Sequence, residues 1–387
     1  MRRRLTTATL AFLAALWLGF SQAEPEITAG FIYVGPVGDY GWTHAHDQGR
    51  QAAEERFDWL DTMYVESVAE GDVETFIEQL IRQGANVIFT TSFGFGEGTL
   101  NAAMRHPDVI FGHATGFTRA PNVMTYIAEF YPAYYLNGLM AGALTETGTV
   151  GYVAAFPIPE IKRHINAFTI GVREVNPDAE VEVRWLYAWF DPAGAAEATE
   201  ALIAEGADVF GFSEDTPTVI QVAAEHGYPS FSHYSPMYEF APEHVVSGQI
   251  ADWDTIYSDF LAKVYAGYYT AENLEDVDYW WMLAEGAIAA AADWGMEVNP
   301  VFEDELRQVM VEDPILGEIS VYDLVFARLE AMSDVEMAFN PFQGPLYDRR
   351  GNLVLPDGAR MTKEQLETLE WAVEGVSLTS PWDHEPE

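Results

Sequence analysis

Short apolar runs rich in β-branched and aromatic residues alternate with longer amphipathic stretches along most of this chain, and the alternation predicts strands separated by helices. The first run, 27–34, breaks into Gly35-Pro36-Val37-Gly38-Asp39-Tyr40-Gly41-Trp42 and then into a polar stretch. That pattern predicts a strand, a glycine-rich turn and a helix that Asp39 or Thr43 can cap. A helix over 47–57, a strand over 62–65, a helix over 73–84 and a buried strand over 87–90 follow. The series continues with a helix over 97–105 and strands over 109–112 and 123–126. A second copy begins near 149, with strands over 149–154, 180–187, 209–212 and 230–232 and helices over 161–175, 193–206 and 219–226. Strand and helix alternating at this spacing imply parallel sheets with right-handed crossovers. The expected fold class is α/β, with two doubly wound, Rossmann-like lobes joined by a hinge. A strand over 245–250, a helix over 254–266 and an acidic helix-like stretch over 302–309 are long enough to cross back between lobes. The stretch 361–376, opened by the capping signal Thr362-Lys363-Glu364-Gln365, reads as a packing helix.

Length supports this division, because 387 residues exceed the roughly 250–300 at which single cores stop growing. The N-terminus stands apart. Arg2-Arg3-Arg4, the apolar run 9–20 and Ser21-Gln22-Ala23 have the order of a cleavable secretory signal peptide over 1–23. The apolar run is shorter than the roughly 20 residues a bilayer requires, so the mature chain is expected to be free in the periplasm. With no cysteine, it can hold neither a disulfide nor a lipid-modified N-terminal Cys. The formal net charge of −42 argues against nucleic acid or anionic lipid as a partner. Acidic residues spread over the surface fit adaptation to high salt, which screens their mutual repulsion.

Catalytic chemistry finds little support. His44-Ala45-His46 resembles the paired histidines of metal-dependent amidohydrolases, and with His113 it keeps a secreted metal-dependent hydrolase as the alternative function. On a helix, however, neighbours two apart point roughly 200° away from each other. No nucleophile elbow, Walker loop or dinucleotide fingerprint is present. What remains are aromatic and polar residues at successive strand ends: Tyr40, Trp42, Thr43, Ser92, Phe93, Thr115, Phe156, Trp189, Phe190, Asp215, Tyr234, Asp252 and Trp253. In open α/β sheets, strand ends face the ligand cleft. Aromatic walls with one or two carboxylates suit a flat, hydrogen-bond-rich heterocycle. No metal and no cofactor are expected.

The stretch Phe31-Ile32-Tyr33-Val34-Gly35-Pro36-Val37-Gly38-Asp39-Tyr40-Gly41-Trp42, followed by His46-Asp47-Gln48-Gly49-Arg50, resembles the opening of BMP-type (basic membrane protein, PnrA-like) substrate-binding proteins of ABC importers. Further matching stretches are Phe89-Thr90-Thr91-Ser92-Phe93-Gly94, His113-Ala114-Thr115-Gly116, Phe156-Pro157-Ile158-Pro159-Glu160, Trp189-Phe190-Asp191-Pro192 and Pro341-Phe342-Gln343-Gly344-Pro345. The resemblance implies a type I periplasmic-binding-protein fold with several hinge strands, no enzymatic activity, and an ABC permease in the inner membrane as partner. The protein is expected to be a monomer. The first lobe should comprise 24–126 with about 246–285, and the second 127–245 with about 286–340, with 341–387 packing across both. The family binds purine nucleosides and related heterocycles. Trp42-Thr43 occupies the place of a Phe-Asn pair in the nucleoside binders, so Trp42 inherits the stacking role, with Phe190 as the candidate opposing aromatic. Two stretches depart from the nucleoside pattern: Ser232-His233-Tyr234-Ser235-Pro236 replaces an Asp-rich turn, and Ser247-Gly248-Gln249-Ile250 lacks the ribose-binding Lys. The expectation is therefore a free nucleobase such as adenine rather than a nucleoside.

Overall fold

The computed structural model describes residues 27–382, so the expected signal peptide lies outside the described residues. Twelve strands build two six-stranded sheets. Strands β1 (Ile27–Ile32), β2 (Leu60–Val65), β3 (Val87–Thr90), β4 (Ile110–Ala114) and β5 (Val123–Ala128) belong to the first sheet. The second holds β6 (Thr149–Ala154), β7 (Glu180–Trp185), β8 (Val209–Ser213), β9 (Ser230–Tyr234) and β10 (Val245–Ala251). The chain then returns to the first sheet with β11 (Asp278–Trp281) and to the second with β12 (Ile288–Ala290). The orders are β2-β1-β3-β4-β5-β11 and β7-β6-β8-β9-β10-β12, parallel throughout except for the antiparallel β10–β12 pair. This is the expected pair of doubly wound lobes.

The helices are α1 (Trp42–Arg56), α2 (Val73–Arg82), α3 (Gly96–Arg105), α4 (Tyr131–Leu144), α5 (Pro159–Val175), α6 (Pro192–Ala204), α7 (Thr218–Glu225), α8 (Trp253–Tyr265), α9 (Glu303–Gln308), α10 (Val321–Met332) and α11 (Lys363–Glu367). Strands β3, β4, β5, β8, β9 and β10 are buried along their whole length, as parallel strands covered by helices on both faces must be. Helix α2 shows the matching helical signature, with Val73, Ile77 and Leu80 buried on one stripe. Helix α6 starts at Asp191, whose carboxylate accepts the Gly194 N–H at 3.0 Å, with Pro192 in the first turn.

Three segments join the lobes, after β5, after β10 and after β11. They run side by side: Glu129 N–H donates to Trp281 O at 2.7 Å, and Asp252 N–H to Ala287 O at 2.8 Å. Because β10 is hydrogen-bonded within the second sheet, the return to the first lobe falls after Ala251, a few residues beyond the expected 246. The C-terminal stretch differs more. Its capping box at Thr362 and Gln365 is present, yet the helix stops at Glu367. Beyond it the backbone joins the exposed edge of β7, where Val181 N–H donates to Gly375 O (2.8 Å) and Ser377 N–H to Val181 O (3.0 Å). Edge-strand pairing takes the place of the helix expected over 361–376. This stretch touches both lobes, through Lys363–Asp278 on β11 and through Leu366 O, which accepts from Arg163 on α5.

Candidate functional site

Helix α1 begins at the strand-end turn of the first sheet, and two carboxylates satisfy the backbone N–H groups that open it. Asp39 accepts from Gly41 (2.9 Å), Thr43 (3.1 Å) and His44 (2.9 Å). Asp215, from the turn after β8 in the other lobe, accepts the Trp42 N–H at 3.1 Å. The Trp42 indole N–H donates to Thr91 O at 2.5 Å, which fixes the ring and leaves its face as a wall. Trp253 and Tyr234 support that ring edge-on, with centroids 5.1 and 5.0 Å away.

Between the lobes lies a cavity lined by Val34, Trp42, Ser92, Phe93 and Thr115 of the first lobe and Glu160, Trp189, Asp215, His233 and Tyr234 of the second. Its empty space is ≈ 330 Å³, the part open to solvent included, and most of it is too tight to seat a water molecule, so the void is narrow. A neighbouring cavity, sharing Phe93, Thr115 and Glu160, runs on to Arg163, Asp278, Trp280 and Glu367.

Of the thirteen strand-end residues expected at the cleft, Trp42, Ser92, Phe93, Thr115, Trp189, Asp215 and Tyr234 line the cavity. The others stand behind it or at its lip. Phe190 is 43% exposed and Trp189 lines the cavity in its place, backed by Phe156 at 4.9 Å. Tyr40 is on the lip, edge-on to Phe240 of the second lobe at 5.0 Å. Thr43 Oγ accepts the Gly35 N–H at 3.2 Å and so fixes the turn. Asp252 stands at the start of α8 in a hinge segment, and Trp253 is buried, stacked on His46 at 3.9 Å.

Val34, Glu160 and His233 were missing from the expected site. Tyr234 has φ of 60°, which breaks the strand alternation and lets both His233 and Tyr234 reach the cleft, with centroids 3.5 Å apart. Thr115 (59°) at the end of β4 and Tyr40 (65°) in the first turn are also left-handed, so backbone strain gathers around the cleft. Glu160 comes from a helix start, just after Pro159.

The site is rich in buried acid. Burial pushes Glu160 up to about 7 against the pull of Arg163, with Glu129 adding to the rise. Burial and then the Asp39 charge raise Asp215, against the Trp42 N–H bond, and burial raises Glu214. Asp39 rises to about 6, again through burial, against the N–H bonds it accepts. Glu129, in the first hinge segment, goes the other way. Burial opposes its charge, but Arg163 and His164 outweigh burial and hold it at about 2. Burial lowers His46 and His233, and takes His113 to about 4.

These shifts set the pH profile of stability. The raised carboxyls contribute stability below their unfolded values of about 4, and it is lost as pH rises through their folded values. The lowered histidines act oppositely, losing stability as pH falls below about 6.5. The two slopes offset one another between about pH 4.5 and 6.5; above that range only the carboxyls still titrate. The thermal midpoint is therefore expected to fall as pH rises from about 6.5 through the folded Glu160 value of about 7. Repeating the melts in molar salt removes the part due to surface charge, and Glu160→Gln should flatten what is left. A midpoint that rises over this range at high salt would contradict the assignment.

The three histidines of the hydrolase alternative are engaged separately: His44 with Val37 O (3.1 Å), His46 with the Tyr257 hydroxyl (2.5 Å) and His113 with Ser92 O (2.9 Å). Among the described residues no group of three or more His, Asp or Glu is placed to hold a metal ion. No helix among them is long and apolar enough to cross a membrane.

The family model for PnrA-like ABC transporter substrate-binding proteins (Bmp) matches residues 26–324. The chain belongs to this family. This PnrA-like protein is 35% identical over 375 residues to a purine-binding protein of Brucella abortus, covering 96% of this chain and 99% of the relative. It is 39% identical over 300 residues to a candidate ABC transporter glucose-binding protein of Haloferax volcanii, covering 78% and 74% of the two chains. Among solved structures, an ABC transporter solute-binding protein from Aeropyrum pernix K1 aligns with a TM-score of 0.66 at 18% identity, covering 90% of this chain and all of that one. One from Conexibacter woesei aligns at 0.60 and 19% identity, covering 81% and 99%. These two support the fold. As a PnrA-like protein the chain is a solute-binding receptor that works outside the membrane with permease components, and not an enzyme, which sets the hydrolase alternative aside.

Proposed function

We propose that this receptor captures a purine-type heterocycle in the interlobe cavity, and that it takes a free base such as adenine in preference to a nucleoside. The observation that carries this reading is the narrow void with Trp42, Phe93, Trp189 and Tyr234 in its walls and Asp215 and Glu160 as its carboxyls. Flat rings gain from aromatic faces, and ring N–H and amine groups match buried carboxyls. No Lys or Arg is among the cavity-lining residues to grip a ribose. Gln249, in the stretch that lacks the family's ribose-binding Lys, is turned inward: its Oε1 accepts from Asn137 at 2.7 Å and its Nε2 meets His233 Nδ1 at 3.1 Å. The protein acts as an exported monomer that delivers its ligand to an ABC permease.

Titration calorimetry with adenine, guanine, hypoxanthine, adenosine and glucose tests the reading. Adenine or another base is expected to bind tightest; adenosine or glucose binding at least as tightly as every base overturns it. Trp42→Ala should weaken base binding roughly tenfold to a hundredfold, in line with about 1–3 kcal/mol for a base stacked on an aromatic ring.

A further inference from the structure

Two carboxyls, Asp215 and Glu160, line one narrow cavity from the same lobe. Asp215 accepts the Trp42 N–H (3.1 Å), and Glu160 Oε1 accepts the Tyr234 hydroxyl (3.1 Å). The guanidinium one turn along α5 is committed elsewhere. Arg163 Nε and Nη2 donate to Glu129 Oε2 at 3.1 and 2.6 Å, its Nη1 donates to Leu366 O at 2.7 Å, and its face lies 4.9 Å from the Trp280 ring.

The groups around Glu160 add more negative charge than positive. Its own helix brings Arg163 and His164. The hinge segment brings Glu129, β9 brings His233 and Tyr234, the turn after β8 brings Glu214 beside Asp215, and the first turn of the other lobe sets the Asp39 carboxyl against Asp215. Across the adjoining cavity stand Asp278 of β11 and Glu367 of α11, both ion-paired with Lys363, and Asp278 also with Arg119. Two carboxylates buried in one small void do not both ionise at neutral pH, because each charge raises the cost of the other.

We propose that Asp215 and Glu160 hold a single proton between them and read the ligand as an acid–carboxylate pair, one oxygen donating to an unprotonated ring nitrogen while another accepts an adjacent ligand N–H. The pair therefore selects heterocycles that place an acceptor nitrogen beside a donor amine, and capture is coupled to that proton. This rests on the nucleobase reading of the same cavity. Burial raises both groups, which agrees with a proton retained into the neutral range. The proton is not consumed: it stays on the pair while the ligand is held, or is taken from solvent when the free receptor has lost it.

Adenine stays neutral between about pH 6 and 9, so its titration over that range in two buffers of different ionisation enthalpy isolates the receptor's proton. Affinity is expected to be level at the acid end and to fall towards tenfold per pH unit once the shared proton leaves, with uptake approaching one proton per adenine bound. Glu160→Gln and Asp215→Asn supply an amide donor and acceptor without titration; each alone should change the slope, and the variant carrying both should erase the slope and the uptake. Adenine binding whose affinity and proton balance stay constant across the range in the wild-type protein overturns the shared proton and leaves the nucleobase reading standing. Adenine that fails to bind at every pH, while adenosine or glucose binds, removes that reading and the proposal with it.

Discussion

Gly41→Ala is expected to leave both lobes folded and to prevent them from closing. A Cβ at this position would lie 2.7 Å from Asp215 Cα, 2.9 Å from its Oδ1 and 3.0 Å from its Cβ. The nearest of these is backbone, so it cannot rotate away, and the lobes must separate to make room. The glycine also has φ −109° and ψ −126°, outside the regions that L-residues favour, which ties it further to this arrangement. Only contacts made in the closed state can drive closure, and Gly41 meets Asp215 across the lobes beside the cavity. Ligand affinity should fall by about a hundredfold or more, because the walls from the second lobe no longer meet those from the first. Small-angle scattering of the variant should show no compaction on adding saturating ligand, while its unliganded melting midpoint stays within a few degrees of wild type. Gly38→Ala is the control, since a Cβ there meets nothing within 4 Å. Wild-type affinity and normal compaction in Gly41→Ala would show that the lobes do not close through this contact.

That contact marks the limit of what the sequence carried. The doubly wound lobes were legible because their strands are short apolar runs set between helices with one polar face, as in α2. Helix α4 was not, for 13 of its 14 residues are buried and it has no polar face to give a 3.6-residue period. It is buried because it packs against α5 at backbone distance: a Cβ on Gly138 or Gly142 would overlap the carbonyls of Phe168 and Val172. The tail helix was over-read, since its capping box was real but its continuation pairs with the edge of β7.

In the site, Trp42, Phe93, Trp189, Asp215 and Tyr234 could be found by one rule, that strand ends face the cleft. Glu160 escaped the rule because a helix start supplies it. His233 escaped because strand alternation permits only one of two neighbours on a face, and the left-handed backbone at Tyr234 cannot be read from side-chain chemistry. Phe190, the candidate opposing aromatic, is exposed while Trp189 lines the cavity, and which of two neighbouring aromatics turns inward is a tertiary property.

Arg163→Met is expected to be the most destabilising single change near the site. The Arg163–Glu129 pair is nearly inaccessible, at 3% and 0% side-chain exposure, and removing one partner of such a pair costs about 3–5 kcal/mol. It also joins three parts of the molecule. Glu129 stands in the first hinge segment, Arg163 on α5 of the second lobe, and the arginine reaches the C-terminal segment through Leu366 O. The pH dependence separates loss of this pair from simple loss of packing. In the wild type the depressed Glu129 contributes stability above its unfolded value, and that contribution is lost only as pH falls towards about 2. Without Arg163, burial dominates and raises the same group, so its sign reverses and stability is lost as pH rises above about 4.5. The gap between wild type and Arg163→Met in urea denaturation should therefore widen from pH 5 to pH 8. Adding Glu129→Gln to Arg163→Met should recover part of the loss at pH 8 and little at pH 5, because the amide removes a charge that matters only when ionised. A gap that is the same at both pH values, or a double variant no more stable than the single one at pH 8, would mean that Arg163 stabilises the hinge by packing on Trp280 and not by neutralising Glu129.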